Sequence, residues 1–270
     1  MAAKINLALV VGRSRGDGLH EIAGVFQRID LCDFLALEPA PALRVEGFRA
    51  DTLVHAALTG LAAVAGIEPG WRVRLEKRIP VAAGLGGGSA DAGAALVLAN
   101  STLADPLPAD RLAEVAAAVG ADVPFFLTRG PQLVEGAGER LAPLDLPQDY
   151  WVLVALPRTA RKGSTGDVYA RFDELGGGTG FDERRAALHE ALERCRRPRD
   201  FAAFPPNDLA AAAEDGAGLL ELLRAAGAFR ADVSGAGPAV YGLFHRRRDA
   251  AAAARSLRRA ARFWVAAPVW

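Results

Sequence analysis

The sequence predicts an α+β protein. Strand-like alternation and helix-period apolar segments lie side by side without a regular βα repeat. Hydrophobic residues make up 51% of the 270, enough for a sizeable core. A composition change over Pro143–Asp149, where Pro143, Asp145, Pro147 and Asp149 gather, divides the chain near residue 147. The expected domains are therefore residues 1–147 and 148–270.

Ile5, Leu7 and Leu9 alternate with Asn6 and Ala8 and read as a first strand, closed by a glycine- and charge-rich turn over 13–18. Short strands follow at 25–31 and 34–37. Thr52–Ala65 reads as a helix stopped by Gly66. Between Arg72 and Arg78, Val73 and Leu75 alternate with charges as in a half-buried strand. A glycine loop and an apolar helix over 90–103 come next, then a short helix over 111–119 closed by Gly120 and strands at 132–135 and 139–141. In the second half, 151–156 and 240–244 read as strands. Helices are expected over 184–196, 217–226 and 250–261, and 176–180 as a loose loop.

Formal net charge is zero, which gives no bulk electrostatic reason to bind nucleic acid or an acidic membrane surface. The spacing of Arg255, Arg258, Arg259 and Arg262 suggests the solvated face of the last helix. Cys32 and Cys195 have no metal-ligand spacing and suit a reducing, cytoplasmic compartment. No charged-then-apolar leader and no run of about 18 apolar residues is visible, so neither secretion nor a membrane span is expected. His55, His189 and His245 form no constellation and read as solvent-facing.

The chemistry concentrates in Pro80-Val81-Ala82-Ala83-Gly84-Leu85-Gly86-Gly87-Gly88-Ser89-Ala90-Asp91, between an expected strand and an expected helix. Four glycines in five residues are entropically costly for a plain turn. A phosphate cradle requires them, because the backbone must approach the anion and aim several N–H groups at it. The helix dipole would assist, and Ser89 could donate to a phosphate oxygen or help to place a metal ion. Asp91 reads as a first-turn acid complementing the dipole. No lysine follows to make a GxxxxGK[ST] loop, and the spacing fails GxGxxG, which disfavours a dinucleotide-dependent oxidoreductase.

With this loop the chain resembles the GHMP kinases, the superfamily of galacto-, homoserine, mevalonate and phosphomevalonate kinases, whose signature is a proline, a short spacer and a GLGGGS-type run. Five further segments resemble one branch, which acts on a cytidine diphosphate-linked methylerythritol. They are Ala3-Lys4-Ile5-Asn6-Leu7, Gly16-Asp17-Gly18-Leu19-His20-Glu21, Gly120-Ala121-Asp122-Val123-Pro124-Phe125-Phe126, Asn207-Asp208-Leu209 and Ser234-Gly235-Ala236-Gly237-Pro238. They occur in order over almost the whole chain. Two positions depart from the pattern: Leu19 stands where a tyrosine is common, and Thr52 where an asparagine is common. The resemblance implies a ribosomal-protein-S5-like N-terminal domain and a ferredoxin-like C-terminal domain, with ATP and Mg2+ as cofactors. It implies phosphorylation of the substrate's 2-hydroxyl in the non-mevalonate route to isoprenoid precursors, by a monomer or homodimer.

The resemblance also implies roles. Pro80, Gly84, Leu85, Gly86, Gly87, Gly88, Ser89 and Ala90 would hold ATP. Asp122, a carboxylate in an apolar run that is costly without a partner, would accept the substrate's hydroxyl proton. Lys4, at the start of an apolar strand, would pair with Asp122 and stabilise the transferring phosphoryl group. His20 would bond the cytosine edge, and Asn6, Ser234, Gly235 and Gly237 would contact substrate. No dedicated metal-ligand cluster appears, which suits magnesium carried in on ATP phosphates. Two rivals stay open: a GHMP kinase for another alcohol such as homoserine, and a non-catalytic nucleotide-binding relative. Retention of both Lys4 and Asp122 argues against the second.

Overall fold

A computed structural model describes residues 1–158, 160, 164–213 and 216–270. In chain order the strands and helices of the first half are β1 (Ala2–Ser14), β2 (His20–Cys32), β3 (Phe34–Pro39), β4 (Arg44–Glu46), α1 (Leu53–Ala65), β5 (Trp71–Glu76), α2 (Gly87–Asn100), α3 (Ala109–Val119), β6 (Gln132–Gly136) and β7 (Arg140–Pro143). The second half adds β8 (Trp151–Pro157), α4 (Thr165–Glu174), α5 (Phe181–Arg194), α6 (Ala217–Ala225), β9 (Arg230–Val233), β10 (Val240–Phe244), α7 (Arg247–Ser256), β11 (Ala261–Ala266) and β12 (Pro268–Val269).

The chain forms two compact units, and neither is a simple half. The first comprises Met1–Ala3, Leu31–Val81 and Gly86–Arg129, the second Lys4–Asp30, Ala82–Leu85 and Gly130–Trp270. Residue 147 thus falls inside the second unit, because packing joins segments that composition sees as distant.

In the first unit β5 is the middle strand of the sheet β3-β5-β4, antiparallel to β3 and parallel to β4. Trp71, Val73 and Leu75 point inward while Arg72, Arg74 and Glu76 stay in solvent. The inner face packs on Val54, Leu58 and Leu61 of α1, Ala92, Ala95, Leu96 and Ala99 of α2, and Leu112 and Val115 of α3. Each fully buried leucine here contributes about 1.5–3 kcal/mol. Asp51, not Thr52, caps α1: its carboxylate accepts from the Val54 and His55 amides at 3.3 and 3.1 Å. Gly66, with φ of 69°, closes that helix in the left-handed conformation.

The second unit holds two sheets. One runs β1-β2-β6-β7, with β12 also paired to β2. β1 is buried from Ala3 to Gly12, so its sequence is nearly continuous in apolar residues rather than alternating. The other sheet runs β11-β8-β10-β9, every pairing antiparallel. Counted within this sheet the order is 4-1-3-2, with helices in both crossovers, which is the ferredoxin-like arrangement. Leu219 and Leu223 of α6 and Ala250 and Ala253 of α7 pack on its Leu153, Ala155, Val233 and Val240.

Several elements depart from expectation. The last helix stops at Ser256, so Arg258 and Arg259 lie in a turn and Arg262 on β11, not on one helix face. α4, β4, β9 and β11 carried no expectation, and the glycine segment after α4 is tied down, since Gly177 and Thr179 offer carbonyls to Arg184. His55 and His245 are exposed as expected, His245 stacked on Phe229 at 4.6 Å, whereas His189 is half-buried and reaches Glu135 at 3.2 Å. Cys32 and Cys195 are not disulfide-bonded.

Candidate active site

In the first unit the chain leaves β5 through Lys77 and Pro80, and α2 starts two residues before Ser89, at Gly87. Gly86 precedes it with φ of 68°, a left-handed conformation glycine adopts without strain. No side chain caps this helix, and no acid lies in its first turn. The N–H groups of Gly87, Gly88 and Ser89 therefore lack the intrahelical partners that interior residues have. The glycines here are packed tightly: a Cβ on Gly87 would come 3.0 Å from Ile79 Cγ2 and 3.4 Å from Lys77 Nζ, and one on Gly88 3.0 Å from Leu53 Cδ1.

Asp91 is not the first-turn acid expected. It is buried one turn further in, and its Oδ2 accepts from Lys77 Nζ at 2.6 Å. Lys77 also donates to Oδ2 of buried Asp33, whose Oδ1 accepts the Ile79 amide at 2.8 Å. Burial pushes the Asp91 carboxyl up to about 6, although Lys77 pulls the other way. Burial also works against the Lys77 charge, but the two carboxylates outweigh it and hold its pKa above the ordinary value.

Asp122, half-buried, sits in the turn leading to the 3-10 helix Pro124–Leu127. This turn is closed by the Val123 amide donating to Gly120 and the Phe126 amide donating to Val123, both at 3.0 Å. Gly93 admits it alongside α2: a Cβ there would meet Phe126 Cβ at 2.9 Å. Gly93 lies six residues, about 9 Å, along the helix from Gly87.

The second unit brings Lys4, Asn6, Gly84, Ser234 and Gly235 together. Lys4 is 3% exposed; its ammonium donates to Asn6 Oδ1 at 2.8 Å and stands 4.6 Å over the Phe26 ring. The same Oδ1 accepts the Gly235 amide at 2.7 Å, while Asn6 Nδ2 is buried without a partner. Ser234 Oγ donates to the Gly84 carbonyl at 2.9 Å. Gly84, Gly235 and Gly237 all have positive φ, and a Cβ on Gly84 would lie 2.0 Å from the Ser234 carbonyl oxygen. Leu85 accepts the Lys4 amide at 2.9 Å.

Sequence reasoning missed the frame behind this cluster. Asn207 donates to the carbonyls of Gly235 and Val233 at 2.6 and 3.0 Å, and its amide reaches Asp232 at 3.0 Å. Asp232 pairs with buried Arg230 at 2.8 Å, and Arg230 also holds the carbonyls of Phe201, Phe204 and Pro205. Tyr241 donates to the Asn6 carbonyl at 2.8 Å. Acidic and basic residues inside a strand, Arg230 and Asp232, were the available signal.

His20 belongs to a different group of contacts, on α4. Its Nε2 is 2.9 Å from Asp173 Oδ1, and its ring lies 4.7 Å from Tyr169 and 6.2 Å from Phe172. Leu19 beside it is 48% exposed, an apolar side chain without cover.

Comparison with known proteins shows the family. The family described as GHMP kinases N terminal domain matches residues 52–130, and GHMP kinases C terminal matches residues 201–262. The chain belongs to the GHMP kinases, an ATP-using family of small-molecule kinases with this α+β fold. It is 36% identical over 280 residues to the 4-diphosphocytidyl-2-C-methyl-D-erythritol kinase of Geobacter sulfurreducens, across 99% of this chain and 96% of that protein. The protein of that name from Symbiobacterium thermophilum is 39% identical over 251 residues, covering 89% of this chain and 88% of its own. A crystal structure of 4-(cytidine 5'-diphospho)-2C-methyl-D-erythritol kinase aligns with a TM-score of 0.78 at 33% identity, covering 100% of this chain and 98% of that one. The homoserine kinase of Cytophaga hutchinsonii shares the fold at a TM-score of 0.73 and 16% identity, across 99% of this chain and 95% of that one.

Proposed function

We propose that this chain transfers the γ-phosphoryl group of ATP to the 2-hydroxyl of 4-diphosphocytidyl-2-C-methyl-D-erythritol, a step of the non-mevalonate route to isoprenoid precursors in the cytoplasm. The observation that carries the phosphoryl-transfer reading is the uncapped, glycine-led N-terminus of α2. In this reading 1–147 is the ATP-binding domain and 148–270 the C-terminal domain.

Pro80 and the backbone amides of Gly84–Ala90 take the triphosphate, the proline shaping the loop without donating a hydrogen bond. Positioning and charge stabilisation supply most of the rate in such a transfer, since little covalent chemistry falls to the protein. Asp122 accepts the proton of the attacking hydroxyl. Lys4, fixed by Asn6, stabilises charge on the phosphoryl group in flight. Asn6, Ser234, Gly235 and Gly237 shape the acceptor side, where the unpartnered Nδ2 of Asn6 is a donor able to serve a substrate oxygen. His20 reads the cytosine edge, and the neighbouring Tyr169 supplies the aromatic surface that Leu19 does not. The half-buried Ser89 hydroxyl in the first turn of α2 would be the protein ligand for Mg2+ carried on the ATP phosphates, and that ion would offset their charge.

The test is ADP release by purified protein with magnesium and ATP, offering the cytidyl substrate, homoserine or mevalonate. Turnover is expected with the cytidyl substrate alone and falls by about 10²-fold or more in Asp122→Asn. Turnover with another alcohol, or an Asp122→Asn variant as fast as wild type, overturns the assignment.

A further inference from the structure

The way His20 is held decides which hydrogen-bonding edge its ring can show. Every contact involved lies within the second unit. The turn before it is closed by the Arg15 amide donating to the Leu19 carbonyl at 2.6 Å and the Gly18 amide donating to Arg15 at 3.0 Å. The Leu19 amide also donates to Asp17 Oδ1 at 3.0 Å. His20 then opens β2, and its side chain is only 8% exposed although it follows a surface turn.

The cover comes from one face of α4. Tyr169 and Asp173 are one helical turn apart, so both point to that face. The Tyr169 ring lies beside the imidazole, and Asp173 Oδ1 stands 2.9 Å from Nε2. Phe172, the buried residue of this helix, meets the imidazole edge-on, and its carbonyl accepts the Gly177 amide at 3.0 Å. The carboxylate is thus presented by a helix that is itself anchored.

A carboxylate only accepts hydrogen bonds. The hydrogen must therefore sit on Nε2, and in the neutral ring Nδ1 is left as an acceptor. Among the described residues none hydrogen-bonds Nδ1. The two pyrimidines differ in what they offer such an atom. Cytosine carries an amine, a donor, at the position where uracil carries a carbonyl, an acceptor. An acceptor at Nδ1 pairs with the first and faces a second acceptor in the other, which leaves both without a partner.

We propose that Asp173 is a positioning residue that sets base specificity: it fixes the Nε2–H tautomer of His20 and so makes the site take cytosine and refuse uracil. Asp173 need not touch the substrate, because it acts through the imidazole. The inference rests on the reading of His20 as the residue that meets the base edge.

The experiment compares kcat/KM for 4-diphosphocytidyl-2-C-methyl-D-erythritol and for its uridyl analogue at saturating Mg-ATP. In parallel, ring 15N shifts at pH 8 report the tautomer of His20, its signals identified by their loss in His20→Gln. Wild type should prefer the cytidyl substrate by about 10–100-fold and carry hydrogen on Nε2 alone. The Asp173 side chain is 44% exposed, so replacing it leaves the core untouched. In Asp173→Asn the amide can accept or donate, both tautomers become populated, and the preference should fall to within about three-fold. Asp173→Leu, which offers no bond, should do the same. The cytidyl loss should appear in KM rather than kcat.

A purely structural role for Asp173 would weaken both substrates equally and leave their ratio intact. An unchanged ratio in both variants, equal use of the two substrates by wild type, or hydrogen on Nδ1 in wild type overturns the proposal and leaves the kinase reading standing. Turnover of neither substrate by wild type overturns the kinase reading and this proposal with it.

Discussion

Three glycines provide a graded test of backbone geometry: Gly16 and Gly18 in the turn between β1 and β2, and Gly84 against the Ser234–Gly237 turn. Gly16 has open space at its Cβ position and no positive φ; Gly18 also has open space but φ of 81°. Gly84 combines φ of 78° with a Cβ position 2.0 Å from the Ser234 carbonyl oxygen. Substituting alanine at each separates no perturbation, backbone strain alone, and strain plus collision. Left-handed backbone costs a non-glycine residue about 1–2 kcal/mol. At Gly84 the Ser234–Gly237 turn must also move, losing the Ser234 hydroxyl bond, worth about 1 kcal/mol, and its packing. The total there is at least about 3 kcal/mol. With an unfolding entropy near 2.1 cal/mol/K per residue, a chain of this length shifts by about 2 °C per kcal/mol. Scanning calorimetry should then show a Tm change under about 1 °C for Gly16→Ala, about 2–4 °C lower for Gly18→Ala, and at least about 5 °C lower for Gly84→Ala. If Gly84→Ala melts within a degree of Gly18→Ala, the close approach of Gly84 to Ser234 is not a feature of the folded protein.

Other consequences follow from the same contacts. Tyr169→Ala should raise KM for the cytidyl substrate about 5–10-fold while leaving KM for ATP within about two-fold; equal effects on both would place the ring elsewhere in the reaction. The Cys195 thiol, pushed up to about 11 by burial, should be alkylated by iodoacetamide at pH 8 about ten-fold more slowly than half-buried Cys32, as followed by mass spectrometry. Asp91, at about 6 in the folded protein against 3.8 unfolded, retains a proton that the unfolded chain has released. The folded state binds more protons in that window, so stability falls as pH rises from about 4 to about 6. The Tm of wild type should decline relative to Asp91→Asn over that interval, and parallel curves would contradict the burial of a titrating carboxyl.

Legibility in the sequence followed exposure. β5 was readable because one face is wet, so Arg72, Arg74 and Glu76 mark a period of two. β9 is buried at all four positions, yet Arg230 and Asp232 make it look like surface until their mutual bond is seen. α4 buries only Phe172, too narrow a stripe for a periodicity argument. Its start was nevertheless written in the sequence: Ser164 and Asp167 form a capping box, with the Asp167 amide 3.0 Å from Ser164 Oγ. The arginines after α7 continue its spacing and so disguised the turn into β11. In the site, the glycine run announced itself because its composition is expensive for anything else. The Lys77–Asp33 bridge did not, since it joins residues 44 apart whose individual contexts are ordinary.

The way the second unit is threaded constrains how the protein can be made. The first unit draws on three pieces that all lie within residues 1–129. Once those residues have cleared a ribosome, it has everything it requires. The second unit uses 4–30 and then waits for nearly the entire remainder. Its last pairing sets Pro268 against Ile29 and Val269 against Arg28, some 240 positions apart. At synthesis rates of roughly 5–20 residues per second, the β2 edge stays unpaired there for on the order of ten seconds or more. During that interval an apolar strand is open to other nascent chains, so the yield of soluble protein should depend on chaperone supply and on the integrity of the final few residues.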